Sequence, residues 1–361
     1  MNVLTIIGAR PQFIKAATVS RNIKDTTGIN ETVVHTGQHF DANMSAIFFE
    51  ELDMAIPKYN LGIYGGNHGE QTGRMLIAIE TILINESPDI VLLYGDTNST
   101  LAGSLAASKL HIPIAHVEAG LRSFNKKMPE EINRILTDHS SDLLFAPTIV
   151  AVKNLQNEGV DEQKIFNVGD VMLDATLYFS AKAERNATIL SDLKLHTNEY
   201  VLATVHRAEN TNCPKKLKSI FEALGKLSTL TTVVLPLHPR TRQSLKAIQF
   251  DIEKSNIRFI DPVGYLDMLL LEKYAVTIIT DSGGVQKEAY FHKTPCITLR
   301  EETEWVELIE YGYNVLSKPE SLIDNYHNAR NVRFDDRATI YGKGDAAPKI
   351  VNELQRYLGR A

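Results

Sequence analysis

Short runs of β-branched and aliphatic residues recur along the chain, alternating with stretches whose apolar residues fall three and four apart. The runs have the length and composition of buried strands. A first series comprises Val3–Ile7, Thr32–Thr36, Ile90–Tyr94, Ile114–Glu118, Leu143–Phe145 and Ile165–Val168. A second comprises Tyr200–Val205, Thr231–Pro236, Ile257–Ile260, Val276–Thr280, Cys296–Leu299 and Asn314–Leu316. Gln71–Asn85, Ser99–Leu110, Glu130–Ser141 and Pro214–Leu227 carry the spacing of amphipathic helices. Such alternation predicts an α/β fold of parallel sheets with helices on both faces. The first series ends near Gly169-Asp170, and a helix-rich stretch from Met172 to about Leu195 leads into the second. Two doubly wound, Rossmann-like domains are therefore expected, 1–169 and 170–346, facing across a cleft lined by strand C-termini. A last helix of about 347–361 can return to either.

Composition narrows the function. A chain of 361 residues exceeds one comfortable core, and 43% hydrophobic with 23% charged residues is ordinary for a globular protein. The net charge of −6 argues against a nucleic-acid binder built on a broad basic surface, so local cations must recruit any anionic ligand. Cys213 and Cys296 are far apart and lack metal-ligand spacing, so neither a disulfide framework nor a metal site is expected. No apolar run is long enough for a bilayer, and Met1–Ile7 reads as a first strand rather than a signal peptide. A cytoplasmic protein without a membrane partner is the simplest expectation.

Chemistry gathers where strands end. After Val276–Thr280 comes Asp281-Ser282-Gly283-Gly284, then a helical pattern containing Glu288. Adjacent glycines at a helix start let a phosphate approach N–H groups at the positive end of the helix, and Glu288 lies about one turn in, placed to accept ribose hydroxyls. The alternative is a tight strand-to-helix turn capped by Ser or Asp. Gly8 to Lys15 follows the first strand; Arg10 and Lys15 bring cations to a helix start, which opposes the macrodipole unless an anion sits there. Neither this turn nor any other carries GxGxxG, so no bound nicotinamide or other cofactor is expected. Asp96 leaves the strand Ile90–Tyr94, either facing a ligand crevice or capping the helix near Ser99. Glu118 ends another buried run, either desolvated enough for acid/base work or paired with Arg122. Glu130, in Pro129-Glu130-Glu131, either joins these carboxylates or simply favours the helix start. His206-Arg207 and His238-Pro239-Arg240 each follow a strand of the second series, and His206 is a candidate to assist a leaving phosphate. Together these groups suit a nucleotide-diphosphate sugar.

GARPQFIK, TGQH (Thr36–His39), YGDT, HVEAGLRS, MPEEINR, the VHR.EN string and TDSGGVQKEA occur in this order along essentially the whole chain. In these strings the sequence resembles the non-hydrolysing UDP-N-acetylglucosamine 2-epimerases. The resemblance implies the glycosyltransferase-B architecture, with a C-terminal helix crossing back to the first domain. It also implies inversion at C2 of a UDP-sugar without a redox cofactor: UDP is eliminated to a glycal-type intermediate and added back. Carried over, Asp96, Glu118 and Glu130 become acid/base candidates, and His206 assists the pyrophosphate. Arg10 and Lys15 line the site, while Ser282, Gly283, Gly284 and Glu288 hold phosphate and ribose. A homodimer is the family's common state.

The chain departs from the family in two places. Trp305 replaces an arginine in the TERPE-like string, and Phe124-Asn125-Lys126-Lys127-Met128 precedes the PEE segment. These variations resemble the branch acting on UDP-2,3-diacetamido-2,3-dideoxyglucuronate. Lys126 and Lys127 suit a C6 carboxylate, or are solvated lysines. UDP-N-acetylglucosamine is the alternative substrate, and a retaining glycosyltransferase a further alternative. Gln38 and His39 match a regulatory segment of the family, but Gly65-Gly66-Asn67-His68-Gly69 does not, so activation by a second UDP-sugar is not expected.

Overall fold

The computed structural model describes residues 1–38, 49, 51–335 and 339–359. His39 and the Arg360–Ala361 end of the expected last helix lie outside them. Contacts divide the chain into two units, Met1–Ala175 with Thr339–Ala361, and Thr176–Ala338.

In the first unit β1 (Asn2–Ile7), β2 (Asn30–His35), β3 (Tyr59–Asn60), β4 (Ile90–Tyr94), β5 (Ile114–Val117), β6 (Leu143–Ala146) and β7 (Ile165–Asn167) form a seven-stranded sheet. Its order is β3-β2-β1-β4-β5-β6-β7 and every pairing is parallel. Every residue of β4 is buried, as a strand covered on both faces requires. Met75, Ile79, Ile82 and Leu83 of the His68–Glu86 helix pack with Ala102, Ala106 and Ala107 of the Asn98–Lys109 helix against β1 and β4.

In the second unit β8 (Tyr200–Thr204), β9 (Thr232–Pro236), β10 (Arg258–Ile260), β11 (Thr277–Thr280), β12 (Cys296–Thr298) and β13 (Asn314–Leu316) form a six-stranded parallel sheet. The order is β10-β9-β8-β11-β12-β13. Leu217, Ile220, Phe221 and Leu224 of the Pro214–Leu227 helix bury one stripe against this sheet. Both orders reverse direction beside the unit's first strand, at β1/β4 and at β8/β11. In open α/β sheets this switch is where ligands bind, at the strand C-termini. The alternating pattern thus yields the expected architecture within each unit.

Three details differ from the sequence expectation. β3 was not anticipated, because two residues of an edge strand carry no readable pattern. Glu118 lies just outside its strand, since its φ of +72° turns the chain. The units also part at 175/176 rather than 169/170, and the returning segment starts at Thr339 rather than about 347. The cause is the helix Val171–Asn186, whose first turn is tied to the returning chain. Asp170 N donates to the Tyr341 carbonyl at 2.9 Å, and the Asp174 carboxylate accepts from Ala346 N at 3.2 Å and Ala347 N at 2.7 Å. Asp174 so caps the C-terminal helix Ala346–Leu358, which packs on the Arg10–Lys24 helix.

Burial pushes the Asp174 carboxyl up from 3.8 to about 6, against the lowering effect of the two amides, with Asp170 and Asp345 adding repulsion. Between these two values the folded state keeps a proton that the unfolded chain has lost. The contribution is therefore fully present below about 3.8 and is lost as pH rises through about 6. Melting temperatures from pH 4 to 7 should show a decline that Asp174→Asn flattens; an identical decline in the variant would contradict this assignment.

Candidate active site

The β1 turn comes first. Gln12 Oε1 accepts from Gly8 N at 2.8 Å and Ala9 N at 3.0 Å, fixing the entry to the Arg10–Lys24 helix. Arg10 opens that helix half-buried, and Lys15, a turn later, is buried at 7% exposure. Lys15 Nζ pairs directly with the Glu118 carboxylate, itself almost fully enclosed. Glu118 holds φ +72°, a conformation unusual for a residue with a side chain and one that gathers at functional sites. Gly95 lies beneath this pair. A Cβ there would sit 3.1 Å from Glu118 Oε2 and 3.4 Å from Lys15 Nζ, and the backbone has φ +61°. Only glycine leaves both the turn and the ion pair undisturbed.

Asp96 follows. It does not cap the next helix, because Thr97 does, accepting from Thr100 N at 3.3 Å. The Asp96 carboxylate instead pairs with Arg134 and stays partly open to solvent, while its carbonyl accepts from Asn133 Nδ2 at 2.9 Å. Both partners come from the Pro129–Ser140 helix, at whose start Glu130 is exposed. The adjacent Glu131 is buried and structural. Its carboxylate accepts from Ser123 N and Oγ at 2.9 Å, from Phe124 N at 2.8 Å and from Arg134 at 2.9 Å. Nothing in the paired acids of the sequence distinguished these roles.

Below lies a network that sequence reading missed. Arg122 does not pair with Glu118; it binds Asp138 at 2.7 Å and Glu158 at 2.7 Å. His116 is hydrogen-bonded through Nδ1 to Asp138 at 2.7 Å and through Nε2 to the Gly95 carbonyl at 2.7 Å. Asp138 also accepts from Gly120 N at 3.0 Å. It therefore braces both turns that flank the carboxylates. Burial alone would raise the Asp138 carboxyl, but His116 and Arg122 outweigh it and hold the group below its ordinary value.

The second unit holds the remaining candidate residues. Asp281, fully buried after β11, accepts from His206 N and Arg207 N at 3.0 Å and from Asn210 Nδ2 at 2.9 Å. It moulds the chain leaving β8 and brings His206 beside the Ser282 turn, with His206 Nδ1 3.5 Å from Asp281. Ser282 is the N-cap of the Gly283–Phe291 helix, so the capped-turn alternative holds together with the glycine pair. A Cβ on Gly283 would fall 2.5 Å from Glu304 Oε1, whereas one on Gly284 would meet nothing closer than 3.9 Å. Gly283 is thus glycine for internal packing, and Gly284 leaves the helix start open. Glu288 lies one turn on, buried. His238 caps its own helix, accepting from Arg240 N at 3.2 Å, with its ring 5.9 Å from that of His206.

Glu304 is held below its ordinary value. Burial opposes ionisation, but Arg300 at 2.8 Å and Arg207 at 3.6 Å prevail. Trp305 Nε1 donates to the Gly283 carbonyl at 2.9 Å and its ring receives Lys287 Nζ at 4.2 Å. The tryptophan therefore pins the glycine turn from behind. Among the described residues no cluster of His, Cys, Asp or Glu could hold a metal ion, and no helix is long and apolar enough to cross a membrane.

Comparison with known proteins fits these geometries. The family model described as UDP-N-acetylglucosamine 2-epimerase matches residues 21–355. A Pseudomonas aeruginosa protein described as UDP-2,3-diacetamido-2,3-dideoxy-D-glucuronate 2-epimerase is 52% identical over 361 residues, covering 99% of this chain and 100% of that one. A Methanococcus maripaludis protein described as a UDP-N-acetylglucosamine 2-epimerase homolog is 51% identical, covering 98% and 99%. Among solved structures, the Methanocaldococcus jannaschii UDP-GlcNAc 2-epimerase in complex with UDP-GlcNAc and UDP is 46% identical. It superposes with a TM-score of 0.92 over 99% of this chain and 100% of that one.

Proposed function

Because the chain belongs to the UDP-N-acetylglucosamine 2-epimerase family, we propose that it inverts C2 of UDP-2,3-diacetamido-2,3-dideoxyglucuronate to give the mannuronate epimer. It is an isomerase of the non-hydrolysing UDP-sugar type. The C2 proton has no neighbouring carbonyl to acidify it. Breaking the C1–O bond builds positive charge at C1, and that charge makes the proton removable. The glycal-type intermediate then takes UDP back at C1 and a proton at C2 from the opposite face.

The observation that carries this reading is the pair of carboxylates at adjacent strand ends of the first unit, Asp96 with Arg134 and Glu118 with Lys15. Two carboxylates at neighbouring strand ends offer one group to take the C2 proton and another to return one. Glu130 is the third acid/base candidate. In the second unit, the open helix start at Ser282–Gly284 and His206 suit a departing diphosphate, and Glu288 suits the ribose. Arg10 completes the set of cations for substrate. The diacetamido uronate rests on the Pseudomonas relative and on Trp305 replacing the family arginine; UDP-N-acetylglucosamine, supported by the Methanococcus relative, is the second reading. The same proposal has a cytoplasmic homodimer supply a surface polysaccharide such as lipopolysaccharide O-antigen.

The test is incubation of purified protein with each UDP-sugar in deuterated water, followed by proton NMR. Epimerisation replaces the C2 hydrogen by deuterium and keeps UDP bound to sugar. An inverted sugar retaining its original hydrogen would overturn the mechanism. Transfer to an acceptor without C2 exchange would indicate the glycosyltransferase. Turnover of UDP-N-acetylglucosamine at least as efficient as that of the diacetamido acid would overturn the substrate assignment.

A further inference from the structure

The second unit contains a cavity of about 270 Å³ that none of the diphosphate-cradle residues lines. One wall is the start of the Pro214–Leu227 helix; the other is chain leaving β12 and β13, including Arg300, Glu301, Lys318 and Glu320. The helix start is unusual. Cys213 provides no side-chain cap, Pro214 follows, and no acid occupies the first turn. Lys215 and Lys216 stand there instead, both lining the cavity. Cations at this end oppose the helix dipole. Pro214 has no N–H and Leu217 N donates to the Cys213 carbonyl at 2.9 Å, so the amides of Lys215 and Lys216 are the ones the helix leaves without an acceptor. Each fault is relieved by an anion.

Arg300 supplies an independent observation. It lines the same cavity at 3% exposure, and while its NH1 donates to Glu304 at 2.8 Å, its Nε is buried with no acceptor. A buried guanidinium N–H without an acceptor is disfavoured, and water or an oxyanion in the cavity would satisfy it. Three lysines thus face two exposed acids, one of which, Glu301, already lies 3.8 Å from Lys216, while Arg300, its charge matched by Glu304, adds a buried donor.

We infer that this cavity binds a small oxyanion, a phosphate or carboxylate group, received by the first-turn N–H groups, Arg300, Lys215 and Lys318. The site is separate from the Ser282–Gly284 turn and independent of which sugar nucleotide the protein turns over. Its test uses the full chain, isotopically labelled, with backbone amide NMR at Lys215 and Lys216. Inorganic phosphate and succinate are titrated separately, to distinguish the two headgroups, with UDP present to occupy the nucleotide site. Saturable shifts at these amides are expected with at least one probe, and Lys215→Ala/Lys318→Ala should weaken that binding by at least about tenfold. Both lysines are exposed, so the variant should fold. Unmoved amides, or wild-type affinity in the double variant, would overturn the inference whether or not UDP itself binds.

Discussion

Glu118→Gln is expected to lower epimerase turnover by about 10²–10⁴-fold while leaving UDP affinity nearly unchanged. The carboxylate sits at a strand end with strained backbone, enclosed with Lys15 and over Gly95. Glutamine keeps the shape but cannot take a proton. It also leaves Lys15 buried without its counter-charge, so a melting curve is needed to separate lost chemistry from lost fold. The decisive reading is the C2 hydrogen in deuterated water. If the variant exchanges it at the wild-type rate, Glu118 is not an acid/base group, however stable the protein. UDP affinity should hold because the proposed diphosphate cradle belongs to the other unit.

The largest effect on stability is expected from Asp138→Ala, about 3–5 kcal/mol, measured as a shift of the urea midpoint. This fully enclosed carboxylate receives bonds from His116, Arg122 and Gly120 N. Removing it strands the buried Arg122 with Glu158 alone. Because its folded pKa is depressed, the stabilisation it gives is present above the ordinary carboxylate range and is lost as pH falls through the lowered value. Asp138→Asn, which keeps the shape, should lose less. A midpoint for Asp138→Ala within 0.5 kcal/mol of wild type, about the scatter of surface substitutions, would show that the network is not a brace.

Much of this was readable in the chain. Parallel strands covered on both faces appear as apolar runs, and the candidates Asp96, Glu118, His206 and Ser282 each stand shortly after one, which is why the sequence could propose them. The limits have physical causes too. Glu130 and Glu131 are adjacent and chemically alike, and only the helix's rotation buries one and exposes the other. His116 and Asp138 are 22 residues apart, and Arg122 and Glu158 are 36 apart. Such pairs become neighbours only when strands assemble, and no periodicity records them. Asp281 was visible as part of a turn, but its task is to shape a loop 71 to 75 residues earlier. The repeated His/Arg motif brings the ring of His238 to 5.9 Å from that of His206 while His238 also caps its own helix, which the spacing of the two motifs did not record.

The chain has one tryptophan. Trp305 is anchored to the Gly283 carbonyl, with an ammonium group over its ring. Its indole therefore lies one hydrogen bond behind the glycine turn, and its emission carries no background from any other indole in the molecule. On the proposed nucleotide site, fluorescence is expected to serve as a native, label-free gauge of nucleotide arrival, usable in stopped flow at concentrations far below those NMR requires.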